Sequence, residues 1–345
     1  MRVSLCQVQD VDASMGAFAR QLGLTGVDLV FPAIPHDRGY WELEDIIAIR
    51  ERCESEGLKV EVLENVPHEM IDKVILGLPG RELQIENICK SIRNMAAAGI
   101  TVFGFHFMAN GVWRTSHSTP GRGGAEATAF DESLVYVESE ARNISLASLT
   151  GTGEADEALP AWSGRSDDLL ITAEKMWDNY QYFLDGVLPT AAEVGVQLAH
   201  HPDDPPVEQI DGIARIFTSP AAFKRAMEMA RGNEAWGLDL CLGSVSEMGG
   251  ADAVHEMIEH FGRLGRIRYV HLRDVQGTVP SFVECFLGEG NYDPAEVIRH
   301  LHRVGFDGWL QDDHVPRLVD DTPWAHRSRA YTIGYIQGIL STIES

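Results

Sequence analysis

Residues 194–206 read Val-Gly-Val-Gln-Leu-Ala-His-His-Pro-Asp-Asp-Pro-Pro, and they pass from one element of structure to the next. Gly195 follows a segment with helical apolar spacing (168–194) and is the residue type that commonly ends a helix. Residues 196–201 are then almost continuously apolar, which is typical of a parallel strand covered on both faces. We therefore predict a helix, a strand, and a cluster of polar side chains at the carboxyl end of that strand.

The same order of elements repeats along most of the chain. Further strands are predicted at 3–8, 27–32, 59–64, 101–107, 236–242, 266–273 and 308–314. Helical spacing is found at 43–56, 82–98, 168–194, 220–231, 251–264, 294–304 and 327–343. Eight strand–helix units predict an α/β fold, a (β/α)8 TIM barrel in which residues 1–345 form one domain. A doubly wound sheet is the alternative, but no Gly-x-Gly-x-x-Gly follows the first strand.

The alternation fails in one long segment, residues 110–166. It begins with a Gly-rich run and continues with the acidic residues Asp131, Glu132, Glu138, Glu140, Glu154, Asp156 and Glu157. Because it follows the fourth strand, we expect an inserted loop on the carboxyl-terminal face of the barrel, where active sites lie. A lid over the site is one interpretation, and a solvated excursion or an oligomer contact is the other.

Composition narrows the class of protein. The 345 residues include 28 Lys+Arg and 52 Asp+Glu, which gives a formal charge of −24. Such a charge argues against nucleic acid and anionic membranes as partners, because the mean field repels them. No apolar run approaches the roughly 18 residues of a membrane span. Five widely spaced cysteines without a Cys-x-x-Cys pair indicate reduced thiols, so we expect a cytoplasmic enzyme.

The last four predicted strands all end in polar side chains that can bind metals. These ends carry His200 and His201, Asp239 and Cys241, His271 and Arg273, and Asp312, Asp313 and His314. One side chain from each strand can converge on a single divalent ion: His201, Cys241, His271 and Asp313. Imidazole, thiolate and carboxylate together suit Zn²⁺, Fe²⁺ or Mn²⁺. His200 and Asp312 are the alternative ligands, because neighbours on a strand point to opposite faces.

These motifs resemble the mannonate dehydratase family. The resemblance is carried by His-Pro-Asp-Asp-Pro-Pro at 201–206, Cys-x-Gly-Ser at 241–244, His-Leu-Arg at 271–273 and Asp-His at 313–314. Glu-Asn-Val-Pro at 64–67 and Leu-Pro-Gly-Arg at 78–81 extend it. It implies a xylose-isomerase-like barrel that dehydrates D-mannonate to 2-keto-3-deoxy-D-gluconate and water. It also implies a divalent metal, usually Mn²⁺, and a homo-oligomer, a dimer or a tetramer.

The resemblance also implies roles for particular residues. The metal ligands become His201, Cys241, His271 and Asp313, and His314 becomes the acid/base group. A sugar-acid carboxylate needs a cation within this acidic chain, and Arg114 and Arg273 are the candidates because guanidinium binds carboxylate bidentately. Further substrate contacts are expected from His106, Trp113 and Glu64.

The sequence departs from the family pattern at residues that face the substrate. Trp324 stands where the family carries a tyrosine, and indole is only a donor, so His326 or Tyr331 would have to replace that tyrosine. Phe-Val-Glu at 282–284 lacks the histidine of the family's Phe-His-Glu. Two alternatives to a dehydratase therefore stay open: a metal-dependent sugar isomerase or epimerase, and a catalytically silent protein that binds sugar acids.

Overall fold

Eight parallel strands close into a barrel in the computed structural model, which describes residues 1–135, 142–143 and 171–343. The strands are β1 (Arg2–Val8), β2 (Gly26–Val30), β3 (Lys59–Glu64), β4 (Val102–Phe105), β5 (Gln197–His200), β6 (Trp236–Cys241), β7 (Ile267–Leu272) and β8 (Trp309–Asp312). Each strand pairs with its neighbour in sequence, and β8 returns to pair with β1. The predicted (β/α)8 barrel is confirmed, and every predicted strand is present with ends shifted by three residues or fewer.

Helices cover the outside of this barrel. They are α1 (Ala13–Gln21), α2 (Leu43–Ser55), α3 (Asp72–Leu76), α4 (Arg81–Ala97), α5 (Ala173–Val194), α6 (Pro220–Met229), α7 (Leu242–Met257), α8 (Pro294–Arg303) and α9 (His326–Ser341). Local sequence explains their ends: Asp293 accepts the Ala295 and Glu296 amides at the start of α8. Gly195, at φ 75°, ends α5 in the left-handed conformation that glycine adopts without strain.

The alternation of side chains along each strand divides the interior into two parts. Leu240 and Leu272 point outward into the main hydrophobic core, which lies between the strands and the helices. Residues of the opposite parity point into the barrel, where Val62, Ala199 and Tyr269 form a small apolar cluster. The buried polar ends of β5 to β8 lie at the carboxyl-terminal end of the barrel.

One predicted helix is wrong in its start. The segment predicted as a helix from 251 is preceded by eight helical residues, since α7 begins at Leu242, directly after β6. Cys241 makes this start possible because its side chain accepts the Ser244 amide. The helix kinks at Gly249 and Gly250, and a π-helical turn (Ile258–Gly262) follows. The short helices α1 and α3 were not predicted.

The segment predicted as an inserted loop, 110–166, contains strands and is not only a loop. Ser116–Pro120 and Glu126–Asp131 join the hairpin Asp274–Thr278 and Ser281–Cys285 in a four-stranded antiparallel sheet, which we call the rim sheet. Trp113–Arg114 pairs with Arg142–Asn143, and Gln209–Ile210 pairs with Ile213–Ala214. The acidic residues predicted at 138–157 lie outside the described residues. Among the described helices, none is both long and apolar enough to cross a membrane.

Candidate active site and metal centre

Three of the four predicted metal ligands meet at the carboxyl-terminal end of the barrel. Ligand atoms of His201, Cys241 and His271 lie within 4.8 Å of one another, and all three side chains are buried. Asp313 lies beside them, with its Oδ2 3.6 Å from Cys241 Sγ. The strand register accounts for this meeting, since Cys241 on β6 is directly opposite His271 on β7. The structure therefore brings together all four side chains, and their metal-binding role stays a prediction.

The two alternative ligands point the other way. His200 is stacked against Phe105, and its Nδ1 is 3.1 Å from the Tyr180 hydroxyl in the helix layer. Asp312 accepts a hydrogen bond of 2.6 Å from Arg329 Nη1. Both residues follow the strand alternation, which puts each one outside the barrel while its neighbour faces inward.

The chemistry of this donor set fits a divalent cation. His201 Nδ1 lies 2.6 Å from the Pro202 carbonyl, a contact in which Nδ1–H donates and Nε2 keeps its lone pair for a cation. Burial raises the pKa of the Cys241 thiol, but Arg273 and His201 lower it more strongly, so the pKa lies well below its usual range. Burial also opposes ionisation of Asp313, yet His314 and His271 lower its pKa to about 2. A thiolate and a carboxylate are thus ready as ligands at neutral pH.

Two arginines hold the carboxylates around the cluster. Arg273 donates to Asp313 Oδ2 at 3.0 Å, to Glu284 Oε1 at 2.9 Å and to Asp204 Oδ2 at 2.8 Å. Arg114 also donates to both Asp204 and Glu284. The two guanidinium groups are 0 % and 1 % exposed, so these are fully desolvated ion pairs. Every nitrogen of either guanidinium has a partner within the protein, so both arginines hold parts of the site in place.

The Cys-x-Gly-Ser motif explains how Arg273 fits. A Cβ on Gly243 would lie 2.5 Å from Arg273 Nε, so only glycine leaves room for the guanidinium here. Ser244 then accepts from Arg273 Nη2 at 2.9 Å and donates its hydroxyl to Cys241 Sγ at 3.3 Å. The motif therefore joins the thiolate to the arginine.

His314 lies next to the cluster with a fixed orientation. Its Nδ1 is 2.7 Å from Glu284 Oε1, and its Nε2 is 3.7 Å from Asp313 Oδ1. Burial opposes the ionisation of Glu284, but His314 and Arg114 hold its pKa below the ordinary range. An ionised carboxylate at Nδ1 selects the tautomer with a proton on Nδ1, which leaves a lone pair on Nε2.

Comparison with known proteins agrees with this arrangement. The sequence profile of the D-mannonate dehydratase (UxuA) family matches residues 10–345. The chain belongs to this family. It is 33% identical over 302 residues to a mannonate dehydratase of Thermotoga neapolitana, covering 84% of this chain and 80% of the relative.

Solved structures place the fold in the same group. The mannonate dehydratase of Streptococcus suis serotype 2 superposes with a TM-score of 0.81 and 28% identity, covering 99% of this chain and 94% of that chain. A xylose isomerase-like TIM barrel protein from Mycobacterium smegmatis gives a TM-score of 0.56 at 14% identity over 99% and 97% of the two chains, a likeness of fold alone. The predicted family and the xylose-isomerase-like barrel are confirmed.

In this member of the D-mannonate dehydratase family, Trp324 has a structural contact. Its Nε1 donates to the Gln7 carbonyl at 2.7 Å, and Gln7 Nε2 donates to Asp313 Oδ1 at 2.9 Å. His326 lies on the outer side, with Nδ1 2.6 Å from Thr322 Oγ1 and its ring against Phe18. Tyr331 is 40% exposed. Neither His326 nor Tyr331 has a described contact with the cluster, and their predicted roles are not tested by this geometry.

The remaining predicted substrate residues divide into two groups. His106 stacks on His201 with ring centroids 4.2 Å apart, and burial together with His201 lowers the pKa of His106 to about 4. Glu64 Oε1 is 3.9 Å from His106 Nε2. Trp113, in contrast, is 7% exposed and packs in the apolar cluster under the rim sheet.

Several residues of the site escaped prediction from the sequence. They are Gln7, Asp204, Asp239, Glu247 and Glu284. Asp204 lies within the quoted 201–206 motif, and Asp239 is two positions before Cys241, so strand parity could have found both. Gln7, Glu247 and Glu284 reach the site from segments whose position depends on the tertiary fold.

Proposed function

We propose that this chain is a metal-dependent hydro-lyase that converts D-mannonate, or a closely related aldonate, to 2-keto-3-deoxy-D-gluconate and water. The observation that carries the proposal is the His314–Glu284 pair, which lies beside a buried cluster of two imidazoles, a thiolate and a carboxylate. Membership of the D-mannonate dehydratase family supports the substrate class.

The residues that would hold the divalent cation are His201, Cys241, His271 and Asp313. When bound, the cation supplies positive charge that stabilises the anion formed next to the substrate carboxylate. We propose Mn²⁺, as the resemblance implies, with Fe²⁺ and Zn²⁺ as the alternatives that the thiolate favours.

His314 is placed to move the proton that the reaction requires. With Nδ1–H donating to Glu284, Nε2 accepts the proton from carbon 2 of the substrate. The electron pair of that C–H bond forms the C2–C3 double bond, and the hydroxyl on carbon 3 leaves. The proton on Nε2 passes to this leaving group, so that water departs. The resulting enol loses its hydroxyl proton and gains a proton at carbon 3, which gives the 2-keto-3-deoxy acid.

Glu284 and the two arginines position this histidine. The Glu284 carboxylate stabilises the imidazolium that forms after proton transfer. Arg273 holds both Glu284 and Asp313, so it fixes the distance between the acid/base group and the cation ligands. Contact of Arg114 or Arg273 with the substrate carboxylate stays a prediction, as do the contacts of His106, Trp113 and Glu64.

Turnover of D-mannonate by the metal-reconstituted full chain tests the proposal. The product is followed by mass, with Mn²⁺, Fe²⁺ and Zn²⁺ in parallel. We expect His314→Asn to lower kcat by about 10²–10⁴-fold, the usual contribution of a positioned acid/base group. His302→Asn, at an exposed histidine of α8, is the matched control. His326→Asn measures whether that residue replaces the family tyrosine, and we expect a smaller effect than for His314→Asn.

A second candidate function is a silent sugar-acid-binding protein. It is favoured by Trp324, whose only polar hydrogen is donated to Gln7 and cannot serve a substrate. Binding of mannonate without product, in protein shown to contain the metal, would support it over the dehydratase. Product of unchanged mass would support the isomerase or epimerase. The homo-oligomeric state and the cytoplasmic location remain predictions.

A further inference from the structure

A second group of metal-binding side chains lies inside the first half of the barrel. Cys6 on β1, Asp28 on β2, Glu64 on β3 and His271 on β7 point inward, and their ligand atoms all lie within 4.8 Å of one another. The four residues are between 0% and 2% exposed. We call them the interior cluster. Only His271 is shared with the candidate active site.

Each carboxylate of the interior cluster is anchored through one oxygen and leaves the other oxygen unpartnered. Gln311 Nε2 donates to Asp28 Oδ2 at 2.7 Å, while Asp28 Oδ1 has no hydrogen-bond partner among the described residues. Asn65 Nδ2 donates to Glu64 Oε1 at 3.2 Å, and Glu64 Oε2 likewise has no hydrogen-bond partner in the described part of the chain. Amide donors that fix one oxygen and leave the other for an ion are typical of metal sites.

The free atoms are grouped around one face of His271. Glu64 Oε2 lies 3.4 Å from His271 Nε2, and Cys6 Sγ lies 4.0 Å from the same nitrogen. Around a tetrahedral Zn²⁺ with ordinary bond lengths, O···N and S···N separations are about 3.3 Å and about 3.6 Å. The observed separations exceed these by a few tenths of an ångström, which side-chain rotations can remove.

We propose that the interior cluster binds a second divalent cation of the Zn²⁺ type, held by Cys6, Asp28, Glu64 and His271. A buried cluster with two carboxylates and a thiol needs positive charge, and a divalent ion supplies it with the correct donor set. The thiol and imidazole favour Zn²⁺ over Mg²⁺ or Ca²⁺, which prefer oxygen ligands. The inference needs only the barrel interior and does not rest on the proposed dehydratase function.

Metal stoichiometry tests the proposal directly. The full chain is stripped with a chelator, dialysed against buffered Zn²⁺ and analysed for zinc per chain. We expect two Zn²⁺ per wild-type chain, and one in Cys6→Ser and in Asp28→Asn. Cys53→Ser, which changes a buried cysteine of α2 outside both clusters, is the matched control and should retain two.

A spectroscopic experiment separates the two sites. In a Cys241→Ser background loaded with Co²⁺, Cys6 is the cysteine left to give a thiolate-to-cobalt charge-transfer band, and adding Cys6→Ser should abolish that band. If Cys6→Ser fails to fold, as judged by circular dichroism, Asp28→Asn gives the same test through zinc content and loss of the Zn²⁺-dependent rise in Tm.

Wild-type protein that binds a single zinc ion, with the same content in Asp28→Asn and Cys6→Ser, would overturn the proposal and leave a proton as the partner of the carboxylates. That outcome differs from failure of the proposed function, which would appear as unconverted D-mannonate whatever the zinc content.

Discussion

The rim of the barrel around Arg114 and Arg273 and the interior cluster both bury carboxylates, but they compensate the charge differently. At the rim, Asp204 and Glu284 each contact both guanidinium groups. In the interior cluster, Asp28 and Glu64 receive neutral amide donors, and an imidazole is the basic side chain that they share.

This difference indicates what each region does. A carboxylate paired with arginine is ionised and held in one place, which suits a group that orients a catalytic histidine. A carboxylate with a free oxygen in a dry environment remains able to bind an ion. The predictions below test this contrast between a paired rim and an unpaired interior, beginning with the largest effect.

Removal of Arg273 should give the largest loss of stability. Arg273→Met leaves Asp313, Glu284 and Asp204 buried without that positive charge, which costs about 3–5 kcal/mol of unfolding free energy for a broken buried pair. Urea denaturation measures it. Arg122→Met, which breaks an exposed ion pair with Glu289, should cost about 1 kcal/mol or less. Equal losses in both variants would contradict the paired-rim description.

Asp274 is a rim carboxylate without an arginine partner, and it should make stability depend on pH. Burial raises its pKa from 3.8 to about 6, although the Gly290 and Gly288 amides donate to it. The folded pKa exceeds the unfolded one, so its stabilisation is complete below about pH 4 and is lost as pH rises through about 6.

The size of this dependence is up to about 3 kcal/mol, at 1.36 kcal/mol per pKa unit. The measurement is the difference in unfolding free energy between wild type and Asp274→Asn from pH 4 to pH 7. A difference that does not change over this range would show that Asp274 is not responsible.

Glu284 and Glu247 provide a matched pair within the rim. Burial, and then the nearby Asp204, raise the pKa of Glu247 well above its ordinary value, so it is a neutral acid at pH 7, whereas Glu284 is ionised. Glu284→Gln should therefore lower kcat about 10²-fold, because the imidazolium of His314 loses its counter-charge.

Glu247→Gln exchanges one neutral acceptor for another and should lower kcat less than threefold. Steady-state kinetics on protein of equal metal content gives both values. A drop in KM-normalised activity caused only by metal loss would argue for a structural role of Glu284.

The sequence predicts the barrel and the ends of its strands well because both depend on local patterns. Continuous apolar runs specify the strands, and strand parity brings His201, Cys241 and His271 to one end. Ser116–Pro120, in contrast, reads Ser-His-Ser-Thr-Pro and has no apolar alternation, so its place in the rim sheet depends on pairing with Glu126–Asp131.

The partners of the predicted arginines depend on long-range contacts. Arg114 and Glu284 are 170 residues apart in sequence and meet only because the rim sheet brings their segments together. Arg114 and Arg273 were therefore assigned to a substrate carboxylate, whereas in the structure their donors contact carboxylates of the protein. Gln7 was missed for the same reason, since it is 306 residues from Asp313.

Trp324 should have the smallest effect. Trp324→Phe removes the Nε1 donor to the Gln7 carbonyl and should cost about 1 kcal/mol of unfolding free energy, the net value of one hydrogen bond. Gln7 would then hold Asp313 less firmly, so a small loss of metal affinity accompanies it. Thermal unfolding with and without added metal measures both. A loss of kcat as large as that of His314→Asn would instead assign Trp324 to catalysis.

The most direct test of the central claim uses D-mannonate that carries deuterium at carbon 2, with product analysed by mass spectrometry. The account predicts a product lighter than substrate by one water and without the deuterium, since His314 removes that atom. A product that keeps the elements of water and only exchanges its deuterium would contradict the dehydratase and identify an epimerase or isomerase.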